Sequence, residues 1–173
     1  MMSTPSFTPI TTFVFDMDGV LTDGTLQILS DQLPLRQMHI KDGYALQLAI
    51  KKGYKIFVIS GSDSPPVKER LRKLGVESVF MNVVDKKALL KRMIVEQGLS
   101  NQEVLYMGDD IPDFAVMLEV GLPTCPADAV DEIKEISSYI SSYNGGYGCV
   151  RDVIEQVLKA RRDWSHIESV SSR

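Results

Sequence analysis

The chain has 173 residues, of which 44% are hydrophobic and 24% are charged, and its formal net charge at pH 7 is −4. This length and composition are typical of one soluble globular domain, and the acidic balance argues against nucleic acid as a partner. Because the chain begins without the basic and apolar regions of a signal peptide and has no apolar run of membrane-spanning length, we expect a cytoplasmic protein without a membrane partner.

The first predicted strand covers residues 10–15, which are β-branched and aromatic. Two looser alternating segments, 25–29 and 35–40, flank a polar turn and predict a β-hairpin inserted directly after that strand. Asp42 is then predicted to cap a helix over residues 43–52. The hairpin interrupts an otherwise regular alternation of strands and helices.

The remaining segments alternate between short apolar runs and amphipathic stretches. The strands are predicted at residues 55–59, 79–81, 104–107, 122–125 and 139–140, and the helices at residues 65–74, 85–97, 114–120, 128–138 and 150–159. This order predicts an α/β fold, namely a Rossmann-like three-layer α/β/α sandwich with a central parallel sheet and a β-hairpin after the first strand. We divide the chain into a disordered N-terminal segment (1–9), a single domain (10–160) and a polar C-terminal tail (161–173).

Polar side chains follow successive predicted strands at the point where each strand ends. Asp16 and Asp18 follow the first strand, Ser60 follows the second, Lys86 comes shortly after the third, and the fourth is followed by Asp109, Asp110 and Asp113. Because parallel strands share their carboxyl edge, these side chains should meet there. Taken alone, Asp16 and Asp18 would fit a solvated acidic turn equally well.

The types of side chain at this edge indicate which ligands it binds. Clustered carboxylate oxygens favour a hard cation such as Mg²⁺, and the lack of a histidine or cysteine cluster argues against zinc. A lysine and a hydroxyl beside such a cation favour a phosphoryl group as the second ligand. The sequence therefore predicts a magnesium and phosphate site at the carboxyl edge of the sheet.

The motifs in this order resemble the haloacid dehalogenase superfamily of phosphohydrolases over residues 13–151. The resemblance implies that Asp16 is the nucleophile that becomes an aspartyl phosphate, and that Asp18 is first the general acid and then the base. It also implies that Ser60 hydrogen-bonds a phosphoryl oxygen and that Lys86 neutralises charge.

The same resemblance implies a magnesium site. Asp16, the backbone carbonyl of Asp18 and Asp109 would hold Mg²⁺. Asp110 or Asp113 would complete the acidic shell, through water or by orienting Lys86.

The spacing of the motifs leaves no room for a cap domain, so the chain resembles the capless branch, whose hairpins pack together in a homotetramer. That branch includes phosphatases of 3-deoxy-D-manno-octulosonate 8-phosphate and of nine-carbon sugar acids. The resemblance is carried by the opening motif at residues 15–24, by Lys41-Asp42-Gly43 and by the glycines before Arg151. It implies a small phosphorylated 3-deoxy-2-keto sugar acid as substrate, bound by Gly61, Lys41, Asp42 and Arg151. The alternative is that Arg151 is a solvated arginine at a helix start.

One motif departs from this branch, which commonly has Thr-Gly-Arg or Thr-Gly-Glu-Lys after the second strand. This chain has Ser60-Gly61-Ser62-Asp63, which keeps the hydroxyl and loses the cation. We therefore expect altered recognition of an anionic sugar acid, and a phosphatase for another small ester, for example a sialic-acid-type phosphate, is the alternative. A non-catalytic scaffold is a third hypothesis, but it should lack the nucleophile, the acid or a metal ligand, and all three are present.

Overall fold

The computed structural model describes residues 5–30 and 32–170. Within them, six parallel strands form one sheet in the order β3-β2-β1-β4-β5-β6. The strands are β1 (Thr12–Phe15), β2 (Lys55–Ile59), β3 (Ser78–Phe80), β4 (Val104–Met107), β5 (Leu122–Cys125) and β6 (Tyr139–Ile140).

Helices cover both faces of the sheet. They are α1 (Ile40–Lys51), α2 (Pro65–Lys73), α3 (Lys86–Gln97), α4 (Phe114–Met117), α5 (Asp131–Ile136) and α6 (Cys149–Ala160). One hydrophobic cluster lies between the sheet and α1, α2 and α6, and a second lies between the sheet and α3, α4 and α5. The predicted three-layer α/β/α sandwich is therefore confirmed. No helix in the described ranges has the length and apolarity needed to cross a bilayer.

Strand β1 lies in the middle of the sheet, between β2 and β4. Phe13 and Phe15 pack into one hydrophobic cluster and Val14 into the other, so the strand is buried on both faces. This explains its continuous apolar sequence, which is typical of a strand in a parallel sheet. The backbone N–H of Asp16 donates to the carbonyl oxygen of Met107 at 3.0 Å, so the first acid lies directly at the carboxyl edge.

Helix α1 begins at Ile40, three residues before the predicted start, and Asp42 lies inside its first turn. The Asp42 carboxylate accepts a 2.8 Å hydrogen bond from the backbone N–H of Arg151 in α6. The first turn of α6 leaves its backbone N–H groups without partners inside the helix, and Asp42 satisfies one of them. The prediction that Asp42 caps its own helix is therefore wrong, because the residue joins α1 to α6.

The hairpin is predicted at residues 25–40, and the structure ends this segment at residue 39, before Ile40 begins α1. We call residues 22–39 the β1–α1 loop. Its antiparallel pairing is limited, among the residues that the structure describes, to two isolated bridges, Thr22 with Met38 and Gln27 with Leu35. The loop and the start of α1 expose a row of large apolar side chains: Leu26, Ile28, Leu29, Leu33, Leu35 and Ile40. Asp31, in the predicted turn, lies outside the described residues.

Both ends of the described chain contact the domain. The ring of Phe7 packs edge-on against Tyr139, with 5.3 Å between centroids. In the tail, Asp163 accepts a 2.6 Å hydrogen bond from Tyr54, and Val170 is buried. Residues 1–4 and 171–173 lie outside the described part, and the division of the chain at residues 9 and 160 stays a prediction.

The glycines before α6 pack against the turn that follows β1. The backbone N–H of Gly146 donates to the carbonyl oxygen of Val20 at 2.9 Å. A Cβ atom on Gly145 would overlap the carbonyl oxygen of Gly19. Any side chain at position 145 would therefore push the loop away from the turn that carries Asp16 and Asp18.

We expect Gly145→Ala to lower the free energy of unfolding by about 1–3 kcal/mol, which is the usual cost of overpacking a close contact. Gly61→Ala is the matched control, since a Cβ there meets nothing closer than the Val83 carbonyl oxygen at 3.8 Å. Denaturant unfolding of both variants measures the difference. Equal stabilities would contradict the close packing of the two loops.

Candidate active site

The predicted acids and the lysine meet in one cavity at the carboxyl edge of the sheet, which we call the acid cavity. Its volume is about 290 Å³. It is lined by Asp16, Asp18, Gly24, Ser60, Gly61, Ser62, Lys86, Asp109, Asp110, Pro112 and Asp113. Eight of these residues were predicted from the sequence, because they follow parallel strands or, for Lys86, begin the helix after one.

Lys86 is the centre of a buried ion-pair network. It is the first residue of α3, and its ammonium group donates to Asp16 Oδ1 and to Asp113 Oδ1, each at 2.8 Å. Tyr106 in β4 donates its hydroxyl to the same Asp113 oxygen at 2.7 Å. Asp113 therefore orients Lys86, and Lys86 holds Asp16.

Asp109 completes a cluster of three carboxylates. Asp16, Asp109 and Asp113 each contribute one carboxylate oxygen, and these three oxygens lie within 4.8 Å of one another. Gly19, at φ +86°, leaves the space that the Asp109 carboxylate fills, since a Cβ on Gly19 would overlap it. A set of hard oxygen donors at this spacing fits Mg²⁺, which binds through one or two carboxylates plus other oxygens.

The electrostatics of the cluster also favour a cation. Burial, together with the neighbouring Asp113, raises the pKa of Asp16 to about 7, although Lys86 opposes the shift. Burial and the charges of Asp16 and Asp113 raise the pKa of Asp109 to about 8. Burial alone would lower the pKa of Lys86, but the charges and hydrogen bonds of Asp113 and Asp16 outweigh burial and raise the pKa. Lys86 therefore stays charged, while Asp16 and Asp109 lack enough nearby positive charge to ionise fully near neutral pH.

Asp18 lies in a different environment. Arg36, from the β1–α1 loop, donates from Nε to Asp18 Oδ1 at 2.7 Å and from Nη2 to Oδ2 at 3.2 Å. Ser62 donates to Oδ2 at 2.7 Å and Thr22 to Oδ1 at 3.3 Å. Burial alone would raise the pKa of Asp18, but hydrogen bonds from Arg36, Ser62 and Thr22 outweigh it and lower the pKa.

Ser60, Gly61 and Asp110 are the remaining predicted residues of the acid cavity. The Ser60 hydroxyl is buried, lies 3.2 Å from the Ser62 hydroxyl and accepts from the backbone N–H of Ser62 at 3.1 Å. Gly61 is exposed at the cavity wall. Asp110 is also exposed, and its carboxylate accepts from the backbone N–H of Ile111 at 2.8 Å, so it caps the turn before α4. Of the two candidate supporting acids, Asp113 is the one in contact with Lys86.

Three predicted substrate-binding residues do not line the acid cavity. Lys41 and Arg151 line a separate cavity of about 680 Å³, and the Arg151 guanidinium packs over the rings of Tyr44 and Trp164 at 5.6 and 5.5 Å. Asp42 is 2% exposed and accepts from Arg151, as described above. A substrate role for these three residues stays a prediction.

Two residues of the site were missed by the sequence analysis. Tyr106 is an ordinary aromatic residue of a buried strand, so nothing in its spacing marks it. Arg36 follows Asp18 by 18 residues and belongs to none of the motifs, and only the path of the β1–α1 loop brings it to Asp18. The fold nevertheless brings a cation near the position where the motif lacks one, because Arg36 Nη2 lies 3.3 Å from the Ser62 hydroxyl. The altered recognition of an anionic sugar acid stays a prediction.

The fold and the site together define a class of protein. The family model of the haloacid dehalogenase-like hydrolases matches residues 40–126, about half of the chain. A probable YrbI family phosphatase from Pseudomonas syringae pv. phaseolica has a similar structure, with 34% identity, a TM-score of 0.89, and 91% of this chain and 90% of that chain covered. The chain belongs to the haloacid dehalogenase-like hydrolases, as the sequence motifs predict.

Within that family, particular enzymes are similar over most of their length. The 3-deoxy-D-manno-octulosonate 8-phosphate phosphatase of Haemophilus influenzae is 28% identical over 148 residues, which are 86% of this chain and 82% of that protein. The Moraxella catarrhalis enzyme of the same name has a TM-score of 0.88 at 29% identity, with 91% of each chain covered. Its crystal structure is a complex with a magnesium ion, a phosphate ion and a KDO molecule.

We predict that the metal-free protein loses stability as the pH rises, and that Asp109→Asn reduces this loss. The pKa of Asp109 is raised to about 8 in the folded state, from an ordinary value of 3.8. The stability contributed by its protonated form is complete below the unfolded pKa and is lost as pH rises through the folded value. Thermal unfolding of chelator-treated protein between about pH 5 and about pH 8 measures the effect.

Asp110→Asn is the matched control, because it removes the neighbouring but exposed carboxylate. We expect wild type and Asp110→Asn to decline in parallel, and Asp109→Asn to decline less. Added Mg²⁺ should raise the melting temperature of wild type at about pH 8 and have little effect on Asp109→Asn. Identical pH profiles for all three proteins would contradict the electrostatic account of the cluster.

Proposed function

We propose that this hydrolase is a Mg²⁺-dependent phosphomonoesterase that works through an aspartyl phosphate on Asp16. The observation that supports the proposal most strongly is the convergence of Asp16, Asp18, Lys86 and Asp109 on one cavity. Each matches a role that the family resemblance implies, and the similar enzymes are phosphatases by name.

Asp16 is the proposed nucleophile. Its carboxylate attacks phosphorus, the bond to the ester oxygen breaks, and the phosphoryl group passes to the carboxylate oxygen. Lys86, 2.8 Å from Asp16, holds the attacking group in place and balances charge on the transferred oxygens. Ser60, buried at the cavity wall, would hydrogen-bond one phosphoryl oxygen.

Asp18 is the proposed proton carrier. The family resemblance implies that it protonates the ester oxygen as the alcohol leaves. The lowered pKa of Asp18 supports its second role, in which the ionised carboxylate accepts a proton from the water that hydrolyses the aspartyl phosphate. Both carboxylates line the acid cavity, so one bound phosphoryl group would reach Asp16 and Asp18 together.

The residues present fit a magnesium ion. Asp16 and Asp109 would hold it, with the backbone carbonyl of Asp18, and Asp113 would support it through Lys86. When bound, Mg²⁺ supplies positive charge that offsets the repulsion between a carboxylate and a phosphate dianion. The raised pKa values of Asp16 and Asp109 support this assignment, because both carboxylates need such a charge to ionise near neutral pH.

The proposed substrate is a phosphorylated 3-deoxy-2-keto sugar acid, with 3-deoxy-D-manno-octulosonate 8-phosphate as the first candidate. Support comes from the similar enzymes that carry this substrate in their name. A different small phosphate ester remains the second candidate, since Ser62 and Asp63 depart from the usual motif and Arg36 changes the surroundings of Asp18.

We further propose that the protein is a homotetramer assembled through the β1–α1 loop. Ile28 is 71% exposed and Leu33 60% exposed, in a row of apolar side chains of the kind that marks an interface. No cap domain lies over the acid cavity in the part of the chain that the structure describes, and a neighbouring loop would shield the cavity from water.

Asp16→Asn should lower kcat/KM for the best phosphate ester by at least about 1000-fold, because the amide cannot take the phosphoryl group. A panel of sugar-acid phosphates and p-nitrophenyl phosphate, assayed with and without Mg²⁺, identifies that ester. Asp63→Asn is the control, since Asp63 is exposed and outside the acid cavity.

Two results would count against this proposal. Turnover of Asp16→Asn at the wild-type rate would exclude the aspartyl phosphate. An ester outside the sugar acids with far higher kcat/KM would replace the substrate assignment and leave the reaction class standing.

Ile28→Asp should dissociate the tetramer, because it places a charge in the proposed apolar interface. Val95→Asp is the control, since Val95 is 81% exposed on α3, away from the loop. Light scattering at working concentration measures the mass, and a monomeric wild type would refute the assembly.

A further inference from the structure

Tyr106 is a fully buried tyrosine whose ring and hydroxyl group have different surroundings. It lies in β4, and its exposed fraction is 0%. The ring packs into the hydrophobic cluster between the sheet and α3, α4 and α5, which also contains Val14 and Met117. A buried hydroxyl group is costly unless it is hydrogen-bonded. The Tyr106 hydroxyl meets this condition by donating to Asp113 Oδ1 at 2.7 Å.

The position of that hydroxyl is fixed by the sheet. Tyr106 pairs with Val14 of β1 on one side and with Pro123 of β5 on the other. Its carbonyl oxygen also accepts a 2.9 Å hydrogen bond from the Thr124 hydroxyl. Functional groups on the strands of a scaffold are held more precisely than those on loops. Tyr106 therefore offers Asp113 a donor that is anchored in the core.

Asp113 itself lies outside the sheet, at the end of the turn Ile111–Asp113 before α4. Its Oδ1 accepts from Tyr106 and, at 2.8 Å, from Lys86, while its Oδ2 accepts from the backbone N–H of Asp109 at 3.3 Å. The terminal torsion of an aspartate is broad, so the carboxylate plane turns easily unless partners hold it. Of these three contacts, the one from Tyr106 is the shortest, and it fixes the carboxylate relative to the core.

Lys86 depends on Asp113 for the position of its ammonium group. The lysine side chain is long and loses much rotamer freedom when it is held in one place. Its Nζ lies 2.8 Å from Asp113 Oδ1 and 2.8 Å from Asp16 Oδ1, so the ammonium group bridges the two carboxylates. A turned Asp113 carboxylate would draw the ammonium group away from Asp16, which is the proposed nucleophile.

Tyr106 does not touch the space in which a phosphate ester would bind. Among the residues that the structure describes, Lys86, Asp16 and Asp113 line the acid cavity and Tyr106 does not. A substrate would therefore contact Lys86 and Asp16 but not Tyr106. Any effect of the tyrosine hydroxyl on the reaction has to pass through Asp113.

We propose that Tyr106 is a positioning residue, which fixes Asp113 and thereby holds Lys86 beside Asp16. The inference rests on the proposed function, because it concerns the attack of Asp16 on phosphorus. Lys86 has to stay beside the attacking carboxylate and the transferred oxygens during that attack, since preorganised charge stabilises the transition state. Tyr106 keeps its proton and donates to Asp113 throughout.

The test removes the Tyr106 hydroxyl and keeps the ring. Tyr106→Phe should lower kcat for the best phosphate ester by about tenfold, because a displaced lysine stabilises the transition state less. KM should stay within about twofold of wild type, since losing an interaction made in the transition state lowers kcat and leaves substrate binding unchanged. All measurements use the full chain with Mg²⁺, and the ester is the one that the panel identifies.

Tyr54→Phe is the matched control, because the Tyr54 hydroxyl also donates to a carboxylate. Its partner is Asp163 in the tail, at 2.6 Å, and neither of these two residues lines the acid cavity. The kcat and KM of Tyr54→Phe should match those of wild type. Thermal unfolding of every variant accompanies the kinetics, and the assays are run at a temperature at which all of them are folded.

Two double variants show whether the effect passes through Asp113. In the Asp113→Ala background, Tyr106→Phe should change kcat by less than about twofold, because the hydroxyl has already lost its acceptor. In the Ser60→Ala background it should still lower kcat by about tenfold, because the Ser60 hydroxyl contacts Ser62 and is independent of Asp113. If Asp113→Ala does not fold, Asp113→Asn replaces it. The amide lacks the charge that attracts Lys86, so the loss caused by Tyr106→Phe should then fall below about threefold.

The outcomes separate the inference from the proposed function. A wild-type kcat in Tyr106→Phe, or a loss that appears in KM alone, would overturn the positioning role. An undiminished loss in the Asp113→Ala background, or in the Asp113→Asn background that replaces it, would also overturn it, because the hydroxyl would then act by another route. A wild-type protein that hydrolyses no ester in the panel would instead refute the proposed function, and the inference with it.

Discussion

Repulsion among carboxylates at one edge of the sheet is the constraint on which the rest of the structure depends. Five acids line a cavity of about 290 Å³, namely Asp16, Asp18, Asp109, Asp110 and Asp113. Two unit charges about 4 Å apart repel by about 4 kcal/mol at an effective dielectric near 20, so such a group needs cations or protons. The protein supplies two cations from opposite sides, Lys86 to Asp16 and Asp113, and Arg36 to Asp18. Asp109 is the acid whose raised pKa most clearly calls for a third, external charge.

The sequence predicts the parts of this arrangement that follow from strand order. Asp16, Ser60 and Asp109 each follow a parallel strand, and parallel strands share their carboxyl edge, so their convergence needs no knowledge of loops. Helix boundaries are less certain because they depend on capping partners, and Asp42 shows this. A local cap and a distant one are equally compatible with its sequence position, and the backbone N–H of Arg151 is the partner that the fold provides.

Arg36 shows the other limit of the sequence argument. Its role depends on a long-range path through a loop whose antiparallel contacts, within the described residues, are two isolated bridges. No hydrophobic period or strand end specifies where such a loop points. The sequence therefore shows that the motif after β2 lacks a cation, but it does not show that Arg36 lies beside that position in the fold.

The packing of Gly145 and Gly146 against the turn after β1 has a consequence for biosynthesis. A ribosome makes Asp16 and Asp18 well before it makes Gly145 and Gly146. Until Gly145 and Gly146 emerge, the turn that carries Asp16 and Asp18 lacks one of the segments that pack against it, even if the strands beside it have begun to pair. The nascent chain therefore carries its cluster of acids without a finished site until Gly145 and Gly146 have been made and have packed against that turn.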